Sequence, residues 1–305
     1  MLNCRSMKME NLNSTAAELM ARQLRDWPMA ARFYETLKSI RSRELMVADH
    51  RILLQFNPGR ITSTAAKLDK QSIAERPCFL CAHHLPPEQE KIEVGDYYLL
   101  VNPFPIFPQH FTISAKQHQA QNILPVFGDF LAFAAQLDAY MVFYNGPRCG
   151  ASAPDHLHFQ AATRGMLPLL VDYQQKKLER CTLVDSAGEA QLFAYNNDLN
   201  RVYVIESGSS DDALVLFKNI YHEWQGESDE EPMMNLIAQY NNGRWEVFLL
   251  PRRTFRPAQY YMEGDEQLLV SPAAVEMSHL VITPREEDFH KITVDDIRTI
   301  FEQVG

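Results

Sequence analysis

The sequence is short of the features that mark several large classes of protein. Its 305 residues include only 5 cysteines, an odd number at scattered positions: Cys4, Cys78, Cys81, Cys149 and Cys181. That count and spacing do not make the disulfide framework of a small secreted domain. No run of about 18 apolar residues occurs, so a membrane-spanning helix is not expected. The first residues, MLNCRSMKMENLNS, lack the continuous apolar stretch of a secretory signal. An intracellular, cytoplasmic protein is the expectation. Basic residues are also in deficit, with 29 Lys and Arg against 39 Asp and Glu and a formal net charge of -10. Such a balance opposes binding to a nucleic-acid backbone but leaves room for a local basic pocket around one nucleotide.

The apolar residues are enough, at this length, for a sizeable core. Helical spacing runs through AAELMARQL and, after Pro28, through AARFYETLKSI. The stretch ELMVADHRILLQF is strand-like and ends at the turn signal Asn57-Pro58-Gly59; residues 61–76 read as a polar connector. From Cys78 onward strands dominate: DYYLLVN and HFTISA, then a helix over 122–139, then AYMVFYNG and DHLHFQAAT. ALVLFKNIYHEW reads as a helix between β-rich segments, and the acidic run Glu227 to Glu231 as a solvated loop. The strand starting at His110 (HFTISAKQ) echoes the one starting at His279 (HLVITPRE), leaving open both an internal duplication and a chance likeness of β-rich strands.

The chemistry concentrates between Phe143 and Gln160. On a strand, His156, His158 and Gln160 share one face, while Leu157 and Phe159 face the other way. Two imidazoles and an amide in a row suit a polar site rather than a core. The turn Gly146-Pro-Arg-Cys-Gly-Ala-Ser152 ahead of them can bring backbone N–H groups to phosphate oxygens, with Arg148 as a further phosphate contact. An isolated His-x-His is otherwise a surface feature or a pair of metal ligands. Cys78-x-x-Cys81, His118 and His156 together supply two thiolates and two imidazoles, a set that suits tetrahedral Zn²⁺. His83 and His84 are rival ligands, and a reduced or redox thiol pair is the alternative.

This segment resembles signatures of the histidine-triad superfamily in its transferase branch. HLHFQA behind a Gly-Ala turn is similar to the GDP-hexose phosphorylases. FYNGPRCGASAPDHLHFQ resembles the corresponding segment of diadenosine tetraphosphate phosphorylases and galactose-1-phosphate uridylyltransferases, with Asp155 as one residue more than the uridylyltransferase pattern. The resemblance implies His158 as nucleophile, Gln160 and Ser152 as phosphate contacts beside Asn145 and Gly150, and a structural zinc on Cys78, Cys81, His118 and His156. NPFPIFPQHFTISAKQH resembles a second segment of the superfamily and implies nucleoside contacts at Asn102 and Phe104. WEVFLLPRR resembles a third, implying phosphate contacts at Arg252 and Arg253; an ordinary solvated strand end is the other reading of that pair.

The expected fold is therefore α+β: a mainly antiparallel HIT-like sheet with helices on one side, in two related halves. An N-terminal helix and strand extension would cover 1–70, a catalytic half 71–175, and a C-terminal half 176–305 that completes the nucleotide site. The implied reaction moves a nucleotidyl group through a covalent nucleotidyl-histidine, from an NDP-sugar or dinucleoside polyphosphate to phosphate or a sugar phosphate. A nucleotide phosphohydrolase with the same nucleophile and a non-catalytic nucleotide-binding or zinc-stabilised module are the alternatives. Some superfamily members are homodimers, which leaves that state open here.

Overall fold

A computed structural model describes residues 12–64 and 70–305. Cys4 and part of the expected 61–76 connector lie outside the described residues. Apolar residues at helical spacing form α1 (Asn13–Asp26), which buries Ala16, Leu19 and Met20. Pro28 opens α2 (Pro28–Thr36), where its missing N–H costs nothing. The long strand-like stretch folds as a hairpin, β1 (Arg41–Val47) and β2 (His50–Phe56). Its turn places Ala48 at φ 52°, a left-handed conformation that residue type does not advertise. Short helices α3 (Ile61–Thr64) and α4 (Lys70–Glu75) follow.

Ten strands build the main sheet. They are β3 (Lys91–Val94), β4 (Tyr97–Val101), β5 (His110–Ala115), β6 (Tyr140–Asn145), β7 (His158–Thr163), β8 (Cys181–Ala187), β9 (Ala190–Tyr195), β10 (Val202–Ser207), β11 (Met234–Asn241) and β12 (Arg244–Pro251). Their order is β3-β4-β5-β7-β6-β11-β12-β10-β9-β8, antiparallel throughout. This order is its own mirror: β3–β7 with α5 (Phe127–Gln136) and β8–β12 with α7 (Ser210–Gln225) repeat one path, and the two units join at β6 and β11. The repeat pairs β5 with β10, not with the strand at His279. That strand, β13 (Leu280–Thr283), lies in a separate small sheet, parallel to β2. The likeness of the two His-led segments is thus a coincidence of β-rich composition.

Helices cover both faces of the main sheet rather than one, because residues alternating along its strands are apolar on both sides. One core holds Phe111, Ile113, Tyr144, Phe159, Leu236 and Leu249 under α1, α5 and α7, with Phe127 and Phe217 stacked at 3.9 Å. The other holds Met141, Phe143, Val204, Ile237 and Phe248 under α6 (Pro168–Arg180), α8 (Ala274–Met277), α9 (Glu286–Lys291), α10 (Val294–Val304) and the small sheet.

The units differ where it matters. β11 and β12 are joined by Asn242-Gly243, both at positive φ, a tight hairpin turn. β6 and β7 are joined by the long segment 146–157, which carries the glycine turn and His156. Among the described residues no helix is long and apolar enough to cross a membrane.

Candidate active site

β7 begins at His158, and its pairing with β5 and β6 fixes the side chains that face the cavity beside it. Leu157 and Phe159 enter the core, as strand alternation requires, and His158 and Gln160 face the other way. Gln121, buried, clamps the strand end: its Oε1 accepts from His158 N at 2.8 Å, and its Nε2 donates to His158 O at 2.9 Å and to Asn145 O at 3.0 Å. Sequence reasoning gave Gln121 no role.

His158 Nδ1 lies 2.8 Å from the carbonyl oxygen of His156. A carbonyl only accepts, so Nδ1 carries the proton and Nε2 keeps its lone pair. Burial holds the ring neutral, lowering its pKa to about 4 against the opposing effect of that carbonyl. Gln160 is oriented in the same way. Ile106 N–H donates to His110 Nδ1 at 3.2 Å, so His110 Nε2–H donates to Gln160 Oε1 at 2.9 Å, with Asn102 Nδ2 reaching the same oxygen at 3.4 Å. With its oxygen taken, Gln160 has its NH₂ left to donate. Burial, then the Arg60 charge, lower the pKa of His110 to about 3, so it too is neutral. The signal for His110 was its place on β5, whose register faces Gln160 with Thr112.

The cavity has a volume of about 460 Å³ and takes in Asn102, Phe104, Asn145, Gly150, Ser152, His158 and Gln160. The glycine turn depends on Gly150 at φ +94°, where an added Cβ would stand 2.6 Å from the Cβ of Ala273. Asn145 Oδ1 accepts from Asn235 Nδ2 and from Ala274 N, both at 2.9 Å, and Asn235 Nδ2 also donates to Cys149 O at 2.7 Å. The second unit thereby braces the turn. Asn102 Oδ1 accepts from Phe104 N at 2.9 Å, so its amide shapes the loop and supports Gln160.

Three expected arginines do not reach the cavity. Arg148 turns outward to Glu230 at 2.8 Å and to the carbonyl of Glu231. Glu231 itself is no solvated loop residue: its carboxylate is buried and accepts from Ile123 N at 2.7 Å and Tyr144 Oη at 2.8 Å. Arg252 is buried, with its N–H groups on Val304 O, Asn235 Oδ1, Pro272 O, Thr254 O and Phe255 O, which leaves none for a phosphate. Arg253 is exposed and reaches Glu302 O. The guanidinium groups that line the cavity are Arg60, Arg76 and Arg256. They come from outside every motif, and their convergence depends on how the chain folds back.

Behind His156 lies the cysteine cluster. Cys78 Sγ is 3.2 Å and Cys81 Sγ 3.6 Å from His156 Nδ1, and Cys81 Sγ is 3.3 Å from His118 Nδ1. All four ligand atoms lie within 4.8 Å of one another. Tetrahedral zinc with bonds of about 2.3 Å to sulfur and about 2.0 Å to nitrogen sets sulfur and nitrogen about 3.5 Å apart, which these separations bracket. His156 Nε2–H donates to Ala115 O at 2.8 Å, with Ser114 Oγ at 3.1 Å, so Nδ1 presents its lone pair to the thiols. Burial, the largest single influence, works against ionisation of Cys78, but the contact with His156 and the backbone N–H groups of Leu80 and Cys81 together outweigh it and bring the thiol to about 6. His84 is not part of the cluster; its Nδ1–H donates to Cys78 O at 2.9 Å. The donor set can hold a metal ion.

A family model described as a domain of unknown function, DUF4922, matches residues 19–163. No curated protein matches the sequence. Among solved structures, that of yeast Ap4A phosphorylase Apa2 superposes with a TM-score of 0.61 over 97% of both chains at 15% identity. Its complex with Ap4A gives 0.58 over 97% of both chains at 14% identity. Its complex with AMP gives 0.53 over 93% of this chain and 96% of that one at 15% identity. The chain has the fold of Ap4A phosphorylase Apa2. It is α+β and mainly antiparallel, as the motif's resemblance implied. In the Apa2 fold of this chain, His158, Gln160 and the glycine turn share one cavity, with the cysteine cluster directly behind it.

Proposed function

We propose that this chain is a nucleotidyl-transfer enzyme of the phosphorylase type, with His158 as its covalent nucleophile. The observation that carries the reading is the bond from His158 Nδ1–H to the His156 carbonyl, which leaves an unprotonated Nε2 in a cavity beside the glycine turn. In the first step Nε2 forms a bond to the α-phosphorus of a dinucleoside polyphosphate or NDP-sugar. The bond from that phosphorus to the bridging oxygen breaks, and the leaving nucleotide or sugar phosphate keeps the electron pair. In the second step an oxygen of inorganic phosphate attacks the same phosphorus and displaces Nε2. Nδ1 keeps its proton through both steps and goes on donating it to the His156 carbonyl. Backbone N–H groups from Gly150 to Ser152 and the NH₂ of Gln160 are the donors to the phosphoryl oxygens.

Zinc at Cys78, Cys81, His118 and His156 would be structural. Four protein ligands leave no open position, so the ion would fix the backbone carbonyl on which His158 turns. The Apa2 fold and the complexes of that enzyme with Ap4A and AMP support the reading. Product analysis tests it. With a dinucleoside tetraphosphate and phosphate, the expected products are a nucleoside diphosphate and a nucleoside triphosphate. A sugar phosphate released from an NDP-sugar would select the other donor. A nucleoside monophosphate formed with or without phosphate would make the protein a hydrolase. Binding without turnover of any donor would make it a binding module.

A further inference from the structure

Asp155, the residue that the uridylyltransferase pattern lacks between Pro154 and His156, has no part in the nucleotidyl-transfer steps. Its two oxygens face different partners. Oδ1 accepts from Arg76 Nη2 at 2.8 Å, and Oδ2 lies 3.8 Å from Nε2 of His118 in the cysteine cluster. Arg76 Nη2 also reaches the carbonyl of Ser152, at 3.4 Å, and the guanidinium sits 5.0 Å from the ring centroid of Phe79. Arg76 is thus fastened to the glycine turn itself, from a segment distant in sequence.

Its Nη1 is buried and has no hydrogen-bond partner. A guanidinium nitrogen withdrawn from water in this way costs stability unless something completes it. Arg76 lines the same cavity as Ser152 and His158. The other guanidiniums of the cavity are anchored elsewhere: Arg60 on Phe104 O, and Arg256 on Ser271 Oγ and Thr64 O. Arg148, the arginine of the turn's own sequence, faces away toward Glu230.

We propose that Arg76 binds the phosphate group of the nucleotide held at the glycine turn, and that Asp155 is its positioning residue. The proposal rests on the nucleotidyl-transfer reading. Arg76 supplies the positive charge that Arg148 does not, and Nη1 is the nitrogen whose hydrogen-bonding capacity is unfilled. Asp155 restrains the guanidinium through Nη2, and its contact with His118 ties that restraint to the cysteine cluster. A planar donor held in advance at the phosphate loses little entropy on binding.

The test compares nucleoside monophosphates (AMP, GMP and UMP) with their parent nucleosides, by calorimetric titration of zinc-loaded protein. Zinc content and melting temperature are measured for every variant. In Arg76→Ala the affinity for the preferred monophosphate is expected to fall at least tenfold, with nucleoside affinity unchanged. Arg76→Lys is expected to keep part of it, and Asp155→Asn to lose less than Arg76→Ala. If Arg76→Ala loses zinc, Arg76→Lys and Arg76→Gln carry the comparison. Unchanged monophosphate affinity, or an equal loss for nucleoside and monophosphate, overturns the proposal while leaving the functional reading in place. A wild type that binds no nucleotide removes both.

Discussion

His158 and His156 are joined by one contact that links two sites: the ring Nδ1–H of the first donates to the backbone carbonyl of the second at 2.8 Å. His156 turns its own ring toward the cysteines, and its backbone sets the tautomer of His158. The cysteine cluster and the ring of His158 are therefore linked through one backbone carbonyl, and a change at the first should be felt at the second.

Zinc content tests that coupling. One zinc per chain is expected by elemental analysis, falling in Cys81→Ala and His118→Ala and unchanged in His84→Ala, whose ring bonds Cys78 O outside the cluster. Removing the metal with a chelator should lower the melting temperature and abolish turnover, because His156 loses its anchor. Full turnover in metal-free protein would contradict the link.

Gln160 is predicted to depend on His110, which holds its oxygen at 2.9 Å. In His110→Ala the amide is free to turn its oxygen toward the phosphate. Loss of one such donor lowers kcat by about a hundredfold in comparable sites. KM should move little, and His110→Gln, which keeps an N–H donor, should lose less. Steady-state kinetics separate these outcomes from simple destabilisation, which would lower the amount of active enzyme in proportion.

The turn has its own prediction. Gly150 and Gly165 both have positive φ, but an added Cβ meets Ala273 at 2.6 Å in the first and nothing within 4 Å in the second. Both Gly→Ala changes strain the backbone, by about 1 kcal/mol or more. Gly150→Ala adds the clash and should be the more destabilising by about 1–3 kcal/mol. Denaturant unfolding of both variants gives the difference directly.

How much of this was legible beforehand follows from where each signal resides. Strand alternation puts His158 and Gln160 on one face, and the sequence displays it; His156, expected on that face too, lies ahead of β7 and turns its ring to Cys78 and Cys81 instead. The expected arginines at 148, 252 and 253 failed because a guanidinium goes where its acceptors are. Glu230 lies far in sequence from Arg148, and the Val304 carbonyl far from Arg252. Arg60, Arg76 and Arg256 were illegible for the same reason. The repeat leaves no trace in the like-looking residues at 110 and 279; it lies in strand order and helix position. Ala48 shows the same limit on a small scale: nothing in its type announces the turn that splits β1 from β2.

Glu231 makes stability depend on pH. Burial outweighs its two hydrogen bonds and raises its pKa from 4.5 to about 7. Between those values the folded state binds more protons than the unfolded chain. Stability from this group is therefore full below about pH 4.5, is lost as pH rises to about 7, and is flat above. In Glu231→Gln this slope should be absent. Unfolding free energies of wild type and variant from pH 4.5 to 8 check it, and parallel curves would contradict it.

The most direct measurement is a search for the covalent intermediate. Wild type and His158→Ala are incubated with α-³²P-labelled dinucleoside polyphosphates and NDP-sugars, denatured, and examined for protein-bound label that is acid-labile and base-stable. Label on the wild type alone, discharged by adding inorganic phosphate, is the predicted result. Turnover by the wild type with no label at any time, or label that persists in His158→Ala, would contradict His158 as the nucleophile.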